Sequence, residues 1–327
     1  MQKSTPFTLT RRRALETLGV MSLSPVALAQ EGPYPSKPIR IIVPIATGTA
    51  TDAGARYLAN ELSKVLNATV IVENKVGADG MIGTEFVAKS APDGYTLLST
   101  FAIHYIHQWM AKVSYDAVRD FEPVARYGQT AVVLVVAANS PLRSVRDVIE
   151  AAKQKPEQLS YASAASTSTM AAALMENMTG TKLRMIPYKS SPQTVVDVAA
   201  NIVDLTFAGI AASMPLIQSG RVRALAVTTG KRSINLPDIP TMAESGLPGY
   251  EFSSPNWILA PRGTPAPIVN KLSEALIRVA SAPEFKEFAR TKGFDVDVQN
   301  AAAAKAGAAA ELEKWGRLVA MTNVKGS

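Results

Sequence analysis

Pro44-Ile-Ala-Thr-Gly-Thr-Ala-Thr-Asp52 joins two segments of different hydrophobic period. Before it, Ile39-Arg-Ile-Ile-Val43 is an apolar run of strand length. After it, Ala53, Ala55, Leu58, Ala59, Leu62, Val65 and Leu66 recur at helical spacing. Asp52, or Thr51, can cap that helix, because its side-chain oxygen accepts from the amides that follow. A strand that passes into a helix through small hydroxyl residues leaves first-turn N–H groups unpaired. Together with the helix dipole they attract an anion. The plainer reading is an ordinary βα turn with a good cap, and the rest of the chain weighs between the two.

Strand and helix patterns alternate from there. Residues 69–73 read as a second strand, the loop 76–83 feeds a helix to Ser90, and Ala91-Pro-Asp-Gly94 is a turn before a third strand at 95–99. Such alternation predicts βαβ units and a mainly parallel sheet. Phe121-Glu-Pro-Val-Ala-Arg-Tyr127 breaks the rhythm as a short extended segment that crosses between lobes. A second set follows: a strand at 132–138, a helix capped by Ser144 and ended by Pro156, and a strand at 159–162. The hydroxyl-rich loop 163–169 precedes a helix at 170–178. Next come a strand at 184–188, a helix from Lys189-Ser-Ser-Pro192, and strands at 202–207 and 224–228. The chain returns through a Pro-rich stretch to a strand at 257–260, then to helices from Thr264 to Val279, from Pro283, and over 301–321. The last is Ala-rich and reads as a surface helix. Three loops, 46–52, 77–81 and 163–169, each follow a strand's carboxyl end and open a helix, the position where open parallel sheets bind ligands.

The amino terminus reads as an address. Lys3 and Arg11-Arg-Arg13 precede a weakly apolar stretch at 18–26 and a small-x-small cleavage site, Ala27-Leu-Ala29. Thr10-Arg-Arg-Arg-Ala-Leu15 resembles a twin-arginine signal, with an ordinary secretory signal as its competitor. Cleavage after Ala29 removes four basic residues and Glu16. That leaves 30 Lys+Arg against 26 Asp+Glu, a net charge of about +4 in place of +7. The basic residues do not cluster with aromatics, which argues against nucleic acid. The chain has no Cys, so disulfides, thiol nucleophiles, thiolate metal sites and an N-terminal lipid anchor are excluded. The longest later apolar run, Ala131-Val-Val-Leu-Val-Val-Ala-Ala138, is far short of a membrane span. About 300 mature residues suggest two domains, and a freely diffusing periplasmic protein fits best.

Many short motifs in one order then point to a family. They include Tyr34-Pro-Ser-Lys-Pro-Ile-Arg-Ile-Ile-Val-Pro44, Glu73-Asn-Lys-Val-Gly-Ala-Asp-Gly-Met-Ile-Gly83, Ala91-Pro-Asp-Gly-Tyr95, Leu159-Ser-Tyr-Ala-Ser163 and Ile186-Pro-Tyr-Lys189. Further on are Arg223-Ala-Leu-Ala-Val227, Leu236-Pro-Asp-Ile-Pro-Thr241, Gly246-Leu-Pro-Gly-Tyr-Glu251, Ala260-Pro-Arg-Gly-Thr-Pro265 and Lys314-Trp-Gly316. The chain resembles the Bug family, the extracytoplasmic solute-binding receptors of tripartite tricarboxylate transporters. The resemblance implies an α/β, two-lobed periplasmic binding protein fold of the type II (Venus-flytrap) class, each lobe a mainly parallel sheet flanked by helices. Residues 1–29 are then a signal peptide, 30–125 plus 251–327 the first lobe, and 126–250 the second. It also implies a small organic acid held in the inter-lobe cleft by loop amides, hydroxyls and waters, and delivery to membrane permease subunits; no cofactor or metal is expected, and a monomer is assumed. The expected ligand-binding residues are Thr47, Gly48, Thr49, Ala50, Thr51 and Asp52, with Ala78, Asp79, Gly80 and Met81. His104, Ser166, Thr167, Ser168, Thr169 and Ala208 complete the set.

The chain departs from the family's usual site. Gly48-Thr49 stands where a Gly pair is common, which removes backbone freedom and adds a hydroxyl. Asp79 stands where Gly is common, and its charge opposes a carboxylate unless it is paired, protonated or turned away. Ala164-Ala165 replace a Gly-containing loop. Ala208-Gly209 follow Phe207 where an Asp is frequent, which disfavours an ammonium-bearing ligand. Other chemistry has weak support. His104 and His107 lie three apart and could share a helix face as metal ligands, but no local acid completes a shell. Phe101, Tyr105 and Trp257 could stack on an aromatic acid, with core packing the simpler role. Neither a nucleophile elbow nor a dinucleotide or phosphate loop occurs. A periplasmic ligand sensor and an enzyme on a similar clamshell are the competing classes.

Overall fold

The structure is a computed structural model that describes residues 34–164 and 166–321, without the side chain of Ser166. The expected signal peptide, residues 1–29, and Ala165 lie outside the described residues. The first half of the chain builds β1 (Ile39–Val43), α1 (Ala50–Leu66), β2 (Val70–Asn74), α2 (Met81–Ala88), β3 (Thr96–Thr100), α3 (Ile103–Met110) and β4 (Phe121–Thr130). A second set follows: β5 (Val132–Ala137), α4 (Val145–Gln154), β6 (Ser160–Ser163), α5 (Ser166–Thr179), β7 (Arg184–Pro187), α6 (Ser191–Ala199), β8 (Leu205–Gly209), α7 (Ile210–Gln218) and β9 (Val222–Val227). The chain then adds β10 (Ser254–Pro261), α8 (Ala266–Ala280), α9 (Pro283–Lys292), β11 (Gln299–Asn300) and α10 (Ala301–Met321).

These strands form two sheets, ordered β11-β4-β10-β3-β1-β2 and β7-β6-β8-β5-β9. The two-lobed α/β architecture stands, but the sheets are mixed and not mainly parallel. β1 pairs in parallel with β2 and β3, and β6 with β7 and β8. β10 and β5 run against their neighbours. The reason is the crossing. A chain that leaves one sheet as β4 and returns as β10 re-enters from the opposite end, so it pairs antiparallel.

The local signals account for most of the elements. Ser144 accepts from the Asp147 amide while Asp147 accepts from the Ser144 N–H, a full capping box at the start of α4. Pro192 and Pro283 lie in first helical turns. α10 lies on the surface with one stripe down, since Ala304, Ala308, Trp315 and Leu318 are buried. It packs on β4 and α3 and reaches α5 beside the second sheet. One buried cluster therefore runs from Ile42 and Leu98 of the first sheet through Trp315 and Tyr250 to Leu134 and Phe207 of the second.

Strand register settles where the helices begin. Val43, Asn74 and Thr100 end their strands at one edge of the first sheet, and β10 starts there, with Trp257 opposite Thr100. Ser254 of β10 faces Thr130, the end of β4. In the second sheet Val132 starts β5 opposite Gly209, the end of β8, and β6 and β7 end at the same edge. Thus α1, α2 and α3 start at the edge from which the chain leaves the first sheet. α5, α6 and α7 start at the edge by which it enters the second.

Candidate functional site

The loop 44–49 ends in a cap that differs from expectation. Thr49, not Thr51 or Asp52, is the N-cap: it is extended (φ −73°, ψ 162°), and its hydroxyl oxygen accepts from the Asp52 amide at 3.2 Å. Only a residue still outside the helix can turn its side chain back onto the first turn. Asp52 is one turn in and buried. Its carboxylate accepts from the Gly48 N–H at 2.9 Å, from Arg56 Nε at 3.1 Å and from Asn74 Nδ2 at 2.8 Å. Burial pushes this carboxyl up, but the bonds from Arg56, Gly48 and Asn74 outweigh burial and hold it below its ordinary value. Asn74 also donates to the Ile45 carbonyl. Asp52 is therefore the brace that ties the loop to β2. Thr47 and Gly48 are exposed, and Gly48 has φ +85°. The first-turn amides of Ala50 and Thr51 precede the point where intrahelical bonding begins, at Ala53.

The second loop leans on the first. A Cβ at Gly83 would stand 2.6 Å from the Lys75 carbonyl oxygen and 2.8 Å from Pro44 Cβ, so glycine permits the contact. Gly77, Ala78, Asp79 and Gly80 all have positive φ, and the Gly80 amide closes the turn on the Gly77 carbonyl at 3.0 Å. Asp79 has φ +52°, a conformation natural to glycine and tolerated by Asp. Its exposed carboxylate lies 3.5 Å from Nε2 of the buried His107, whose Nδ1 is 3.3 Å from the Tyr115 hydroxyl. Met81 then opens α2.

His104 is a core residue, contrary to its expected place at the ligand. It is fully buried, with Nε2 2.8 Å from the Ala117 carbonyl oxygen and its ring against Phe121 (4.7 Å) and Tyr105 (5.1 Å). Burial pushes its pKa down to about 4. His104 and His107 engage separate partners and do not converge. Tyr105 packs edge-on to Trp257 inside the core.

In the second lobe the expected loop 163–169 is shorter, because α5 already starts at Ser166. A helical first turn brings Ser168 back over the sheet, where its hydroxyl donates to the Phe207 carbonyl at 2.6 Å. Thr169 shares a hydrogen bond with Ser163 at 2.8 Å, and Thr167 is half-buried. Ala208 is fully buried on β8 opposite Val133, so it faces the core. The Ser168 and Thr169 hydroxyls are thus engaged within the lobe.

Asn256 escaped the sequence reading. It lies buried on β10, its Oδ1 accepts from the Thr51 hydroxyl at 3.2 Å, and its Nδ2 has no partner among the described residues. The available signal was an amide side chain directly before the apolar run Trp257-Ile-Leu-Ala260, which must find partners when buried. At the first sheet, the first-turn amides of Ala50 and Thr51 and the Asn256 amide beside Thr51 are donors suited to an anion, while the Thr49 hydroxyl is engaged with the Ala46 carbonyl.

A family profile described as "Tripartite tricarboxylate transporter family receptor" matches residues 54–324. Protein BugT of Bordetella pertussis is 32% identical over 97% of this chain and 99% of its own. Among solved structures, an R. palustris protein crystallised with adipate is 32% identical, with a TM-score of 0.73 over 88% of this chain and 98% of its own. MatC from Rhodopseudomonas palustris, with bound malate, is 27% identical, with a TM-score of 0.69 over 88% of this chain and all of its own.

Proposed function

The chain belongs to the tripartite tricarboxylate transporter family of receptors, and from that premise we propose that it captures a small carboxylate between its two lobes. Acting in the periplasm as a monomer, it hands the acid to the permease subunits of a transporter. The observation that carries this reading is the strand register, which puts the helix starts of both sheets at the two edges that the chain crossings join. Helix-terminal amides of α1, α2 and α5, with the Asn256 side-chain amide, are the donors for the carboxylate. Ala50, Thr51, Ala78, Thr167 and Thr169 contribute through backbone or hydroxyl groups, while Gly80 and Met81 hold the turn through their own amides. Asp52 and Asp79 shape the loops, the first through its three donors and the second through His107. Adipate and malate are the acids bound by the two solved relatives, and they head the panel to be tested.

Closure of two lobes on one acid is the functional event. A matching acid raises the melting temperature of the mature protein and contracts it in solution scattering. Thr49→Ala, which removes the cap that orders the start of α1, weakens its binding by roughly 0.5–1.5 kcal/mol. A broad carboxylate panel that gives neither a thermal shift nor contraction overturns the reading.

A further inference from the structure

Outside the helix starts, one row of side chains stands apart. Thr100, Trp257, Arg126 and Gln299 are register partners across β3, β10, β4 and β11, so they share one face of the first sheet. Six buried side-chain polar atoms lack a hydrogen-bond partner among the described residues, and three belong to this row: Thr100 Oγ1, Trp257 Nε1 and Arg126 Nε. Trp257 is 1% exposed and Arg126 9%. Arg126 Nη2 is already held by Gln129 and by an ion pair with Asp297, while its Nε is the nitrogen without a partner among the described residues. The guanidinium lies 5.7 Å from the indole centroid.

Trp257, Arg126 and Gln299 line a cavity of about 510 Å³ that no helix-start residue enters. That is ample for a small molecule. Indole and guanidinium nitrogens only donate, so the two orphan donors call for an acceptor, and a carboxylate presents two oxygens side by side. Leu174, Leu318 and Met321 supply apolar wall. Arg126 is paired with Asp297, and Lys314 and Arg317 match Glu251 and Glu311 across the cavity, so the lining holds no surplus of positive charge for a second carboxylate. We infer that this cavity is a second ligand site, separate from the helix starts, for a monocarboxylate with an apolar body.

The test uses the mature protein with ¹⁵N-labelled indoles and hexanoate as the probe, with hexanol as the uncharged counterpart. The Trp257 resonance, identified by its loss in Trp257→Phe, moves saturably with hexanoate and stays in place with hexanol. Arg126→Gln and Lys314→Ala weaken hexanoate about tenfold and a few-fold respectively, as for hydrogen bonds or charges lost to an anion, while Thr49→Ala leaves the titration unchanged. Lys314 is on the surface helix α10, so its variant keeps the test valid if Arg126→Gln does not fold. A Trp257 resonance that stays still at millimolar hexanoate overturns the inference. So does an equal response to hexanol, or a titration that Thr49→Ala weakens several-fold, which would put the acid at the helix starts.

Discussion

Replacing Asp52 with Asn isolates the brace beneath the first loop. The wild-type carboxylate takes two donors on Oδ2, the Gly48 N–H and Arg56 Nε, and the Asn74 amide on Oδ1. An asparagine keeps one oxygen and sets an NH₂ against whichever donors remain. Asn74 cannot flip to relieve this, because its Nδ2 also serves the Ile45 carbonyl and its Oδ1 accepts from Arg56. One buried donor pair is left facing itself, at about 1–3 kcal/mol. The Arg56 side chain is half exposed, so its ion pair adds under about 1 kcal/mol. The expected loss is thus about 1–4 kcal/mol, or a fall in Tm of roughly 2–12 °C for a chain of this size. The carboxyl is held below its ordinary value, so its contribution is complete above about pH 4. It is lost as pH falls through the lower folded-state value. Urea unfolding of both proteins at pH 7 and pH 3 tests this, and the gap narrows at the lower pH. A variant within about 0.5 kcal/mol of wild type at pH 7, or a gap that is the same at pH 3, refutes the brace.

Three further outcomes follow from buried contacts. Gly83→Ala drives a methyl into the Lys75 carbonyl and Pro44, so urea unfolding shows a loss of about 1–3 kcal/mol, and an unchanged midpoint contradicts the close approach of the two loops. Asp295 takes the Ser233 hydroxyl, the Ile234 amide and the Asn235 side chain all on Oδ1, and burial pushes its carboxyl up. Asp295→Asn keeps that oxygen and removes the buried charge. It therefore gains on wild type as pH rises from 3 to 7, because a raised carboxyl loses stability as it ionises, whereas Asp295→Ala is destabilised at every pH. The His104 imidazole, pushed down from 6.5 to about 4, remains neutral in the folded state while the unfolded chain takes up a proton. Stability then falls between pH 6.5 and 4 by an amount on the order of 3 kcal/mol, a slope that His104→Phe flattens in acid-unfolding curves.

The order of strands and helices was legible in the sequence because its causes are local. Ile39–Val43 and Val132–Ala137 are apolar runs too short for anything but strands, and α1 and α8 repeat their apolar residues at helical spacing. Ser144, Pro192 and Pro283 act within one turn of their own positions. The family was legible too, since each of its motifs is a contiguous run. Tertiary structure alone decided what each polar group near the site does. Thr49 and Thr51 look interchangeable along the chain. Yet one caps α1, and the other reaches Asn256, 205 positions away. His104 sat at a promising spacing, and packing against Phe121 and Tyr115 sealed it in. Crossing strands made both sheets mixed and lined up Thr100, Trp257 and Arg126 on one face. Periodicity and capping depend on neighbours three or four residues away, so one sequence window contains them. Hydrogen-bond partners and burial depend on which distant segments meet, and that is settled only when the sheets assemble.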